Sequence, residues 1–96
     1  MVTWSIPAKN ELKQIFDYIA KDTNHYADKV TFDIVEKSES LQDFPQIGRM
    51  VPEIDDPSIR EVFIHFYRLI YKTLPGEIEI LALIHSKRDF TSELLE

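Results

Sequence analysis

A chain of 96 residues is long enough for one domain with one modest core, because proteins of this size bury only about 60 to 68 per cent of the surface their unfolded chains expose. Hydrophobic residues at 44% and charged residues at 29% give a globular balance, and the lack of cysteine excludes disulfides, a thiolate nucleophile and a cysteine-based zinc site. Seventeen acidic against eleven basic side chains leave a formal charge of −6, which opposes the general phosphate attraction of bulk nucleic-acid binders but still allows a local basic cluster.

The start, Met1 to Pro7, has no basic region followed by an apolar leader, and no apolar stretch approaches the roughly 20 residues that span a bilayer. The expectation is a cytoplasmic protein with no membrane association, a single domain over 1–96.

After a short segment around Val2 to Trp4, Ala8, Leu12, Ile15, Phe16 and Ile19 follow the three-and-four spacing of one helix face. A helix from Ile6 to Lys21 is predicted, with Ser5 as its N-cap and Pro7 in the first turn, where a missing amide donor leaves nothing unpaired. Asp22-Thr23-Asn24 supplies the exit, and His25 is placed in the link. Ala27, Val30, Ile34, Val35 and Leu41 repeat the pattern in a second helix ending near Phe44-Pro45, since proline cannot continue the ladder. The short link demands an antiparallel hairpin.

Gln46 to Ser58, rich in proline and acidic residues, reads as an irregular crossover in which Arg49, Val51 and Glu53 form a short edge strand. Ile59 to His65, Tyr67 to Thr73 and Ile78 to His85 are rich in β-branched and aromatic residues and read as three strands. Pro75-Gly76 suits the two corners of a type II turn. The run from Ile80 to Ile84 is continuously apolar, the mark of a strand covered on both faces, so this strand is expected to be central. The fold class is therefore α+β, with an N-terminal antiparallel helical hairpin packed on a small antiparallel β-meander.

This meander carries the residues with chemical potential. Arg68 and Arg88 are cations of the kind that hold a phosphate and stabilise transition-state charge; alternatively Arg68 forms an ion pair with Glu53 or Glu61, and Arg88 one with Asp89 or Glu61. His85 suits proton transfer near neutral pH or a structural hydrogen bond, with His65 a weaker candidate. Glu53, near Arg49, Arg60 and Arg68, is either a general base or part of an ion-pair network. Tyr67 and Tyr71 share a strand face and either stack on a base or pack against Leu12, Phe16 or Phe32. Trp4 is expected to anchor the N-terminal segment. Three histidines without paired spacing make no metal site, and no cofactor is implied.

Several of these segments, taken in order, resemble the RelE/ParE superfamily of toxins from type II toxin-antitoxin systems. Asp17-Tyr18-Ile19-Ala20 is similar to the end of the family's opening helix, and Pro45-Gln46-Ile47-Gly48-Arg49-Met50-Val51-Pro52-Glu53 to its crossover. Arg60-Glu61, Tyr67-Arg68-Leu69-Ile70-Tyr71 and His85-Ser86-Lys87-Arg88-Asp89 match its sheet motifs in order and spacing. The resemblance covers nearly the whole chain and implies a cognate antitoxin that folds over the toxin in a hetero-oligomer, docking between hairpin and sheet.

The superfamily divides by target. ParE-like members inhibit DNA gyrase without catalysis, whereas RelE-like members cleave messenger RNA on the ribosome without a metal. Gly48-Arg49, Val51-Pro52-Glu53, Arg60-Glu61 and the segment from His85 look more ParE-like, and the Arg60 to His65 strand lacks the lysines of the nucleases. The ParE-like reading implies target contacts by Arg49, Arg60, Tyr67, Arg68, Lys87 and Arg88. The RelE-like alternative implies catalysis by Glu53, Arg68, His85 and Arg88.

Overall fold

The computed structural model describes residues 1–86. The elements run β1 (Val2–Trp4), α1 (Ile6–Ala20), α2 (Asn24–Ser40), β2 (Arg49–Met50), β3 (Ile59–Ile64), β4 (Tyr67–Leu74) and β5 (Glu77–His85). Ser5 caps α1 as expected: its hydroxyl accepts from the Ala8 amide at 3.2 Å. It also donates to the Leu81 carbonyl at 3.1 Å, so one side chain starts the helix and ties it to the sheet.

The helix-to-helix link is shorter than expected. Thr23 is the N-cap of α2, accepting from Tyr26, and His25 therefore belongs to the first helical turn and not to a linker. At the other end, α2 closes at Ser40, ahead of the proline. The Ser38 and Ser40 hydroxyls donate to carbonyls three residues back, at 2.6 and 2.7 Å, and the backbone beyond tightens into turns from Glu39 and Ser40.

The sheet has five strands in the order β1-β5-β4-β3-β2. The expected antiparallel meander is β3-β4-β5, and the N-terminal segment makes the sheet mixed: β1 runs parallel to β5, with Val2 opposite Ile78 and Trp4 opposite Ile80. The reason is an edge that needs covering. Ile78 donates to the Met1 carbonyl at 2.8 Å and Ser5 to the Ile80 carbonyl at 2.9 Å, so the N-terminal segment satisfies backbone groups that β5 would otherwise expose. Thus β5 is an interior strand as its composition suggested, although β4 occupies the middle of the sheet.

Both faces of the sheet are covered. Ala8, Val30, Ile34, Leu41, Val62, Leu69, Tyr71, Ile78, Ile80 and Leu83 form the core under the helices, with Trp4 packed against it. Val51, Ile59, Ile70, Ala82 and Ile84 form a second, smaller cluster on the opposite face, sealed by the crossover. The register explains how β5 serves both. Tyr71 pairs with Ile80 and Ile70 with Ala82, leaving Leu81 as an extra residue that switches which face the next side chains take.

Phe16 and Phe32 are not core partners of the tyrosines. Phe32 is 54% exposed, and Tyr71 packs instead with Val30, Ile34 and Leu41. The edge strand is also shorter than expected, since Val51 is buried in the second cluster and the chain turns from Val51 to Asp55.

Candidate functional site

Alternation along β3 and β4 sorts the candidate residues onto two faces. Val62, Leu69 and Tyr71 point to the helices, so Glu61 and Arg68 point the other way, beneath the crossover. There Arg68 lies between two carboxylates. Its Nη1 and Nη2 donate to the two oxygens of Glu53, each at 2.9 Å, and its Nε donates to Glu61 Oε1 at 2.8 Å. Nη2 also reaches that Glu61 oxygen. Glu61 is fully enclosed at the side chain, and its second oxygen accepts from Arg49 Nε.

The ion-pair alternative for Arg68 is thus the geometry observed. The Arg68 side chain is 5% exposed, and its hydrogen bonds to Glu53, with those to Glu61, hold its guanidinium above its already high ordinary range against the opposing effect of burial. Arg49 is more open, its guanidinium carbon 5.3 Å from the centre of the Phe63 ring.

A second clamp fixes the start of the crossover. The Tyr71 hydroxyl donates to the Pro45 carbonyl at 2.8 Å and accepts from the Gly48 amide at 2.9 Å. Burial pushes its pKa up. Gly48 sits so close that an added Cβ would lie 2.5 Å from the Glu61 carbonyl oxygen and 2.6 Å from the Tyr71 hydroxyl. Arg60, opposite Met50 on β2 and Tyr71 on β4, donates from Nη1 to the Gly48 carbonyl at 2.8 Å.

His85 lies elsewhere. It is paired with Tyr67, whose ring it meets edge-on at 6.1 Å, and this pair belongs to the helix side of the sheet. Together with Glu11, Tyr18 and Phe66 they line a groove of about 500 Å³ between α1 and the ends of β4 and β5. Glu11 accepts there from the Leu83 amide at 3.1 Å, and burial raises the Tyr67 pKa. The fold therefore brings Glu53 and Arg68 together but separates them from His85 by the thickness of the sheet. Lys87 and Arg88 lie outside the described residues.

His65 is engaged structurally. Its Nε2 meets Asp33 Oδ2 at 2.9 Å, joining the β3–β4 turn to α2, and Asp33 also accepts from Lys29 at 2.9 Å. Two features escaped the sequence reading: the Tyr71 hydroxyl as a clamp, and an apolar groove of about 610 Å³ on the outer face of the hairpin, where Leu12, Phe32 and Val35 are rimmed by Asp28, Glu36 and Glu39. Exposed Phe32 within a helical pattern was the available signal for the groove. Among the described residues no group of three or more His, Asp or Glu could hold a metal, and no helix is long and apolar enough to cross a membrane.

A family model described as ParE toxin of type II toxin-antitoxin system, parDE, matches residues 2–90. Among solved structures, a chain of the chromosomal ParDE toxin-antitoxin system from P. aeruginosa is similar, with a TM-score of 0.73 and 25% sequence identity. The alignment covers 90% of this chain and 95% of that one. A search of curated protein sequences finds no match.

Proposed function

The chain belongs to the ParE toxin family of type II toxin-antitoxin systems, the family match spanning residues 2–90, and from that premise we propose that it inhibits DNA gyrase by binding and is neutralised by a cognate antitoxin. The observation that carries this reading over RNA cleavage is the state of Arg68. A nuclease needs that guanidinium turned toward a phosphate, whereas here it is enclosed and faces Glu53 and Glu61. Bringing a phosphate to it would mean displacing two carboxylates, one of them buried, at a cost that works against transition-state stabilisation.

The separation of His85 from the Glu53–Arg68 pair supports the same reading, since a proton donor across the sheet cannot serve a reaction on the other face. So does the charge of −6, which disfavours docking on ribosomal RNA. Target contact then falls to Arg49, Arg60 and Tyr67 of the sheet and, by the family resemblance alone, to Lys87 and Arg88.

For the antitoxin, the groove between α1 and the β4–β5 ends is the proposed dock, with Tyr18 and Phe66 as exposed apolar surface for a segment that folds on binding. Such an interface should bury well over about 1,200 Å².

The test is a gyrase supercoiling assay titrated with purified, folded protein freed of antitoxin. Loss of supercoiled product with linear DNA accumulating is the expected result. Unchanged supercoiling, together with message cleavage in a translating extract, would replace this reading with the nuclease one.

A further inference from the structure

The three described arginines of the sheet region differ in what compensates them. Arg68 has Glu53 and Glu61, and Arg49 has Glu61. Among the described residues Arg60 has no carboxylate partner: one nitrogen is bound to the Gly48 carbonyl, and its buried Nε has no hydrogen-bond partner at all. That enclosed Nε is beyond a partner's reach, but a guanidinium with no carboxylate beside it keeps its positive charge for an acceptor outside the chain.

The surroundings of Arg60 are apolar and open. Met50, directly across from it on β2, is 42% exposed. Ile47 and Phe44, in the turn that the Arg60 and Tyr71 side chains hold in place, are 57% and 63% exposed. An arginine beside a methionine on the edge strand, with exposed aromatic and aliphatic residues in the turn it holds, has the composition of an interface centre. On a chain of formal charge −6, an acidic partner meets repulsion over most of the surface and attraction where a cation is uncompensated.

We infer that Phe44, Ile47, Met50 and Arg60 form the surface that engages the target, and that the target presents there an aspartate or glutamate carboxylate ringed by apolar side chains. The carboxylate accepts from the outer edge of the Arg60 guanidinium, and its desolvation as the apolar side chains close over it strengthens the bond. This inference rests on the gyrase reading and names its contact. It is distinct from the antitoxin groove: Tyr71 and Tyr67 are about 13 Å apart along β4, and β2 lies three strands, about 14 Å, from β5.

The experiment compares wild-type full-length toxin with Ile47→Ser, Met50→Ser, Arg60→Gln and Arg60→Lys in supercoiling inhibition, in direct binding to gyrase and in binding to antitoxin, with a thermal midpoint for each. The expected result is a rise of at least tenfold in the half-inhibitory concentration for Ile47→Ser, Met50→Ser and Arg60→Gln, partial recovery in Arg60→Lys, and unchanged antitoxin affinity. Wild-type potency in the two serine variants, even if Arg60→Gln fails together with its thermal midpoint, overturns the surface while leaving the gyrase reading intact. Lost antitoxin binding with retained gyrase inhibition overturns the choice of partner. A wild-type protein that neither binds nor inhibits gyrase removes both the reading and this contact.

Discussion

Glu53 and Arg68 meet through two hydrogen bonds of 2.9 Å each, although 15 residues separate them and Glu53 lies in no strand or helix. The pair fastens the irregular crossover to the middle strand of the sheet, and it supports Glu61, whose buried charge would otherwise be left with the more exposed Arg49 alone. Both jobs depend more on the arginine than on Glu53. Arg68→Gln is therefore expected to destabilise the fold by about 3 to 5 kcal/mol, because it leaves Glu61 short of its principal cation. Glu53→Gln, at a side chain 25% exposed, should cost about 1 kcal/mol or less. Urea denaturation of both variants checks the ranking, and equal losses would contradict it.

The Tyr71 clamp makes a second prediction. Tyr71→Phe keeps the ring in the core but strands the Gly48 amide and the Pro45 carbonyl, at an expected cost of about 1 to 3 kcal/mol. Gly48→Ala should lose a similar amount, roughly 1 to 3 kcal/mol, because its new methyl meets backbone at β3 and a fixed hydroxyl. Combining the two should be less than additive, since both loosen the same contact.

How much of this was legible in the sequence varies by element. The helices were visible because Leu12, Ile15 and Ile19, then Val30 and Ile34, repeat at helical spacing, and Gly76 duly takes a positive φ of 72° at its turn. The parallel pairing of β1 was not, because three residues carry too little period to declare a partner. Nor was the bulge at Leu81, since a run without polar residues hides the point where the alternation changes phase. For the site, Glu53, Glu61 and Arg68 could be named as a possible network from their signs alone. The assignment of His85 and Arg68 to opposite faces needed the register, which sequence spacing does not fix.

Two aspartates should contribute to acid sensitivity. The Lys29 and His65 hydrogen bonds hold the Asp33 carboxyl below its usual 3.8, and the Ser58 amide and hydroxyl do the same for Asp56. For a group depressed in the folded state, the contribution is complete above the unfolded value and disappears as pH falls through the folded one. Asp33→Asn and Asp56→Asn should thus lower stability at pH 7 and approach wild type as acid protonates the two carboxyls in the folded state. Chemical denaturation at a series of pH values gives the comparison, and a difference that persisted in acid would refute the assignment.

Ser5→Ala removes both the α1 cap and the hydroxyl bond to Leu81, so about 1 kcal/mol of stability should be lost. Hydrogen exchange would localise the effect: faster exchange is expected at the Ala8 amide, while α2 remains protected. Uniform acceleration over both helices would instead mean that the cap governs the whole hairpin.

The pairing of Val2–Trp4 with Ile78–Ile80 has a bearing on synthesis. During translation the first strand leaves the ribosome long before the strand it must join, and the Met1 amine that reaches the Gly76 carbonyl at 3.0 Å waits for a partner 75 residues later. Closure of so distant a contact is slow relative to helix formation. The hairpin can form early on the emerging chain, but its underside stays incompletely covered until β5 clears the exit tunnel. A nascent toxin is therefore an incomplete one, and its competence begins only once β5 has emerged to pair with β1.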